Sequence, residues 1–187
     1  MNNSSIRKVA ALAGRRIDRP DAEPKRFPTS SIESVKQELE KILVEEKIKS
    51  LVCAAASGAD LLALELALKL DIDFRIVLPF APDRFRSTSV VDSSAEWGGT
   101  FDLVLTKAES TGNLVILDKV LSDEEAFKYA TRMILSEANA AAAPDKALAI
   151  IVWEGKPRGP DDFTLQFRNL AIEAGMRERV VLTRSGT

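Results

Sequence analysis

Four short stretches hold most of the side chains able to do chemistry in this chain: Gly14-Arg15-Arg16, Ser57 to Asp60, Pro79 to Arg86, and Glu154 to Thr164. The second is the most informative. Ala56-Ser57-Gly58-Ala59-Asp60-Leu61-Leu62 follows an apolar run over residues 50–55 and opens an apolar helix. A strand that turns through Ser-Gly into a helix start leaves free backbone N–H groups at a positive dipole end, which is how α/β proteins hold phosphate or another anion. Ser57 and the amides of Gly58 and Ala59 are the candidate anion donors. Asp60, in the first helical turn, either binds a ribose hydroxyl or complements the dipole. Dinucleotide fingerprints need three glycines, so an N-capped structural turn is the plainer alternative.

The other stretches carry similar pairs of readings. Arg15 and Arg16 can fork onto phosphate or carboxylate where Gly14 lets the backbone approach, or they can be solvated. Phe80 or Phe85 suits stacking on a base, and Arg84 or Arg86 suits phosphate; a rigid connector after Pro79 reads equally well. Glu154-Gly155-Lys156-Pro157-Arg158-Gly159-Pro160-Asp161-Asp162 crowds glycine, basic and acidic residues ahead of a helix start, as a ligand-covering loop does. Thr164 adds a hydroxyl there, while Trp153 and Trp97 read as core.

Composition removes whole classes of mechanism. With no histidine there is no Ser-His-Asp triad, no Cys-His pair and no histidine-ligated metal. A single cysteine, Cys53, allows no intrachain disulfide and no CxxC motif, and its apolar neighbours make it a core residue. Catalysis would rest on Asp, Glu, Arg, Lys, Thr, Tyr129 or backbone amides, and no metal or cofactor is implied. A net charge of −2 favours neither nucleic acid nor an anionic membrane surface. No apolar run approaches the roughly 20 residues of a membrane span, and the first residues lack a signal pattern. The expectation is a cytoplasmic protein forming one domain over residues 1–187, with 1–6 a flexible tail.

Those stretches need elements to position them. Apolar runs at 9–13, 51–54, 74–78, 114–117, 147–153 and 180–182 read as strands. Helical spacing fills the intervals at 32–46, 59–70, 97–108, 122–134 and 163–175. Ser30 to Glu33 and Ser122 to Glu125 have capping-box spacing, Asp161 or Asp162 suits an N-cap, and Gly175 suits a helix end. Glu65 and Lys69 are set for an i,i+4 pair on an otherwise apolar helix covered on two faces. Residues 14–28 form a long polar loop with three prolines, functional or disordered. Strands apolar on both faces and alternating with helices call for a mainly parallel sheet in a three-layer α/β/α sandwich. In such sheets ligands sit beyond the carboxyl ends of the strands where strand order reverses, and all four stretches fall there.

Taken together, Ala55 to Glu65, then Val77-Leu78-Pro79-Phe80, Phe85, Ser89-Val90, Trp97, Phe101 and Val104-Leu105, resemble the SLOG superfamily. This Rossmann-like group includes LOG phosphoribohydrolases and the DNA-processing proteins. The residues from Val77 to Leu105 look like one branch, the SLOG-type modules found beside bacterial cyclase and TPR regions, and Val152-Trp153-Glu154-Gly155-Lys156-Pro157 with Gly159-Pro160 and Thr164 resembles that branch's signature. The resemblance implies a nucleotide-type ligand held by Ser57 to Asp60, Arg15, Arg16, Lys156, Arg158 and Thr164, a signalling or defence role, and a homodimer. LOG enzymes carry P-G-G-x-G-T-x-x-E, and here Phe167 stands at the glutamate while Asp161 and Phe163 replace glycines. The resemblance therefore implies a binding module before a phosphoribohydrolase. If N-glycosidic cleavage does occur, Asp60, Glu154 and Asp161 are the surviving carboxylates.

Overall fold

A computed structural model describes residues 8–117, 122–159 and 161–184. The expected tail at 1–6 lies outside the described residues, as does Pro160. The elements run β1 (Val9–Gly14), a 3-10 turn (Thr29–Ser31), α1 (Ile32–Glu45), β2 (Ser50–Cys53), α2 (Ala59–Lys69), β3 (Asp73–Leu78), α3 (Pro82–Ser89), α4 (Trp97–Ser110), β4 (Leu114–Ile116), α5 (Asp123–Ala142), β5 (Leu148–Trp153), α6 (Phe163–Glu173) and β6 (Arg177–Leu182). All strand pairs are parallel, in the order β4-β3-β2-β1-β5-β6. This is a Rossmann-like three-layer sandwich.

Period-two alternation divides the core between the faces of the sheet. Ala10, Leu12, Leu51, Cys53, Ile76, Leu78, Ile150 and Val152 pack under α1, α2, α3 and α4. Val9, Ala11, Val52, Val77, Ala149, Ile151 and Trp153 pack under α5 and α6. The inner strands β1, β2 and β5 bury both sides, as their unbroken apolar runs require, while the edge strands β4 and β6 stay partly exposed. The chain adds strands outward from β1 to β4, then crosses back over the other face in α5 and places β5 beside β1. Strand order therefore reverses between β1 and β5, with Gly14 opposite Val152 at the end of the register.

Several local expectations change. Ser30 to Glu33 forms no capping box: the 3-10 turn leads into α1, and Ser31 at the N-cap position has no side-chain cap bond. Residues 82–89 form a short helix with Pro82 in its first turn, where a fixed φ and a missing N–H cost nothing. Glu65 and Lys69 do not pair with each other. They reach α1 instead, with Lys36 Nζ 2.9 Å from Glu65 and Lys69 Nζ 2.8 Å from Glu40, because α1 covers that side of α2. The second capping box forms in full, with Glu125 N–H donating to Ser122 and Ser122 N–H donating to Glu125. Asp162 caps α6, Gly175 follows that helix with φ +71°, and Trp153 is core while Trp97 is half-buried against it.

Candidate functional site

The loop from Arg15 to Pro28 has no helix or strand, yet its two ends are tied together. Asp18 Oδ2 accepts from the backbone N–H groups of Arg26 (2.8 Å) and Phe27 (2.9 Å), and Phe27 is fully buried. The loop leaves β1 through Arg15, whose own N–H donates to Val152 O at 2.8 Å.

Arg15 is buried, at 5 % exposure, and saturated. Its Nη1 and Nη2 donate to the two carboxylate oxygens of Asp162 at 2.5 and 2.8 Å. Its Nε donates to Glu154 Oε2 at 2.6 Å, and Nη2 also reaches the carbonyl of Lys156 at 3.0 Å. Glu154 in turn accepts from Arg26 at 2.6 Å. Burial pushes the Asp162 carboxyl up, but the Arg15 hydrogen bonds and the amides of Leu165 and Arg158 outweigh it and hold the group at about 2. For Glu154, burial is likewise outweighed by Arg15 and Arg26, and its pKa is lowered. The guanidinium of Arg15 thus joins the β1 loop to the β5–α6 loop.

The start of α2 is equally committed. Gly58 has φ +94°, and a Cβ there would lie 2.6 Å from Ile17 N and 2.8 Å from Arg15 O. The turn is pressed against the β1 loop with no room for a side chain. Ala59 N–H donates to Arg15 O at 3.1 Å, and Ser57 N–H donates to Ser89 O at 3.0 Å. Ser57 is buried, its hydroxyl 3.4 Å from that of Ser93.

Asp60 stands apart from these saturated groups. It is buried, and its Oδ2 accepts from Ala56 N–H at 3.1 Å, while no hydrogen bond reaches Oδ1 among the described residues. Burial raises its pKa to about 7, against the smaller opposing effects of the Ala56 amide and the Arg16 charge. It lines a cavity of about 450 Å³ over the carboxyl ends of β1, β2 and β3.

The lining of that cavity mixes two unlike sets of residues. Phe85 from α3, Phe127, Ala130 and Ile134 from α5, and Phe163 from α6 form an apolar wall, joined by Thr131 and Thr164. The same lining includes Arg16, Asp18 and Arg19 of the β1 loop with Asp92 and Ser93 of the α3–α4 connection. Arg16 and Arg19 both pair with Asp92, Arg19 at 3.1 Å.

Of the residues singled out from sequence, Gly14, Arg15, Arg16, Asp60, Pro79, Arg158 and Thr164 come together around this cavity. Ser57, Gly58, Ala59, Glu154, Gly155, Lys156, Gly159 and Asp161 are not part of its wall. Gly155, Lys156, Gly159 and Asp161 are exposed. Phe80 is buried beside Phe127 (5.6 Å) and Phe85 (6.0 Å), with the Arg84 guanidinium 4.3 Å from its ring. Residue spacing could not show that Phe127, Ala130 and Ile134 front a cavity, because that spacing is also what a core face requires. Asp92 and Ser93 carry no local motif at all. Among the described residues no cluster of three or more His, Cys, Asp or Glu is arranged to hold a metal ion. No helix among them is long and apolar enough to cross a membrane.

Comparison with known proteins supports the fold and little beyond it. No family model matches, and no curated protein matches. Among solved structures, the X-ray structure of DNA processing protein A from Streptococcus pneumoniae superposes with a TM-score of 0.57 at 15 % identity. The match covers 97 % of this chain and 51 % of that one, so the chain spans about half the length of its structural neighbour. At this identity the likeness shows a common fold, the kind that the sequence resemblance implies.

Proposed function

We propose that this chain is a SLOG-type module that binds a nucleotide or nucleotide-derived small molecule for sensing or signalling. The supporting observation is the cavity of about 450 Å³ at the strand-order reversal, whose lining combines aromatic rings, guanidinium groups and a buried carboxylate with one oxygen unbonded among the described residues. A ribose hydroxyl fits Asp60, a flat ring fits the wall of Phe127 and Phe163, and Arg16, Arg158, Pro79 and Thr164 complete the surround. The test is a thermal-shift screen of the chain against nucleotides, ADP-ribose, NAD and cyclic nucleotides. A ligand at 100 times its Kd adds about 2.7 kcal/mol, and Arg16→Ala should diminish that shift. No shift with any compound would overturn the reading.

A second reading is N-glycosidic hydrolysis, favoured by one observation: an Asp60 carboxyl near pKa 7 inside the cavity can hold and return a proton at neutral pH. Glu154, doubly paired, and Asp161, exposed, offer less. Water would add its hydroxyl to the sugar carbon while the base leaves with a proton. Release of free base, lost in Asp60→Asn, would establish it. DNA binding, which the structural neighbour's name, DNA processing protein A, brings into consideration, calls for a basic groove. The net charge of −2 and the pairing of Arg15, Arg16, Arg19 and Arg26 with carboxylates argue against it. A low-salt oligonucleotide shift would reverse that conclusion.

A further inference from the structure

Two places beside the cavity gather anion-binding groups, and the protein has already filled one of them. At the start of α6 the Asp162 carboxylate accepts from Leu165 N–H (3.1 Å), Arg158 N–H (2.7 Å) and both terminal nitrogens of Arg15 (2.5 and 2.8 Å). Two amides and a guanidinium fork make a complete anion shell, and the residue is only 3 % exposed. A ligand phosphate cannot enter without expelling this carboxylate.

The second place is differently balanced. Arg16 and Arg19 share one carboxylate, Asp92, as their ion-pair partner among the described residues, so two guanidinium groups divide a single close counter-charge. Arg16 Nε is buried and has no hydrogen-bond partner among the described residues. The Arg16 and Arg19 side chains are 37 % and 61 % exposed, so a solute can reach them and take over contacts that Asp92 now holds. Asp60 lies within the electrostatic reach of Arg16, which places the hydroxyl-binding and anion-binding groups side by side.

We infer that the anionic group of the ligand binds at Arg16 and Arg19 in competition with Asp92, and that Asp162 closes the α6 end of the cavity to anions. This rests on the ligand reading above and narrows it. The ligand class is a ring-bearing mono- or diphosphate whose phosphate points toward the β1 loop and away from α6.

The experiment is calorimetric titration at low salt with two probes, inorganic pyrophosphate and the uncharged nucleoside adenosine. Asp92→Asn removes the competing carboxylate and should tighten pyrophosphate about fivefold to tenfold. Arg16→Gln and Arg19→Gln should each weaken it by a similar factor, with Arg16→Lys recovering part of the loss. Adenosine affinity should not change in Arg19→Gln. Arg19 is well exposed, so its variant tests the inference without a folding burden. Equal pyrophosphate affinity across Asp92→Asn and Arg19→Gln, or no binding to Asp92→Asn, overturns the inference. If adenosine still binds in that case, the cavity reading stands alone; if neither adenosine nor any nucleotide binds the unmodified chain, both readings fall.

Discussion

Arg15 and Asp162 lie 147 positions apart and meet side by side, each terminal nitrogen of the guanidinium on its own carboxylate oxygen at 2.5 and 2.8 Å. Both residues are almost wholly buried. The contact joins the two loops that flank the strand-order reversal, beside the cavity that Arg15 helps to line.

Asp162→Ala leaves the Arg15 charge buried with Glu154 as its remaining carboxylate, and should cost about 3 kcal/mol or more, read from chemical denaturation. The pH dependence has a definite sign. Asp162 is lowered from 3.8 to about 2 on folding, so its contribution is present above pH 3.8 and is lost as pH falls through 2. Acid unfolding of Asp162→Asn should therefore be less steep between pH 4 and 2 than that of the unmodified chain. An equal slope would remove this carboxylate from the acid response.

Asp60 should behave oppositely. Its pKa rises from 3.8 to about 7 on folding, so the native state resists ionising it and stability falls as pH climbs between those values. Asp60→Asn, which carries no charge to bury, should gain up to about 4 kcal/mol at pH 8 and little at pH 4. The same variant should lose the ligand shift. Greater stability with lost binding is expected when a site holds a strained charge for function, and a variant less stable at pH 8 would contradict it.

Gly58→Ala should be severe. The φ of +94° is unfavourable for alanine, and the new methyl would lie 2.6 Å from Ile17 N, a backbone atom unable to swing aside. A loss of about 3 kcal/mol or more is expected from strain and overpacking together. Gly159→Ala should cost less, because among the described residues, chain neighbours aside, nothing lies within 4 Å of the added Cβ and its φ of +131° is what resists. Comparable losses at both sites would disprove the packing argument.

The two serine-rich helix starts should separate cleanly. Ser122→Ala removes a formed capping box and should cost about 1 kcal/mol. Ser31→Ala removes no side-chain cap bond and should be close to neutral. Thermal melts of the two variants make the comparison.

Alternating apolar runs were enough to read the parallel three-layer fold, since a strand such as Leu148 to Trp153, apolar at every position, can only be buried on both faces. The helix start at Ser122 and the Gly175 helix end were equally legible, because caps are settled within four residues of chain. Pro82 to Ser89 was hidden, since eight residues give too few turns for a period to stand out.

The site was legible in its location and not in its roles. Sequence alone determined that Gly14, Arg15, Asp60, Pro79 and Thr164 would converge, because each follows a strand or opens a helix and a parallel sheet gathers those points at one edge. Only the tertiary structure decided which charges are spent and which remain. Arg15 is consumed by Glu154 and Asp162, Arg16 competes with Arg19 for Asp92, and Asp60 keeps an oxygen free. Those outcomes depend on partners up to 147 positions away, and no local pattern carries that distance. Sequence adjacency sets which elements form, while the neutralisation of a buried charge is decided by whatever packing brings within about 4 Å of it.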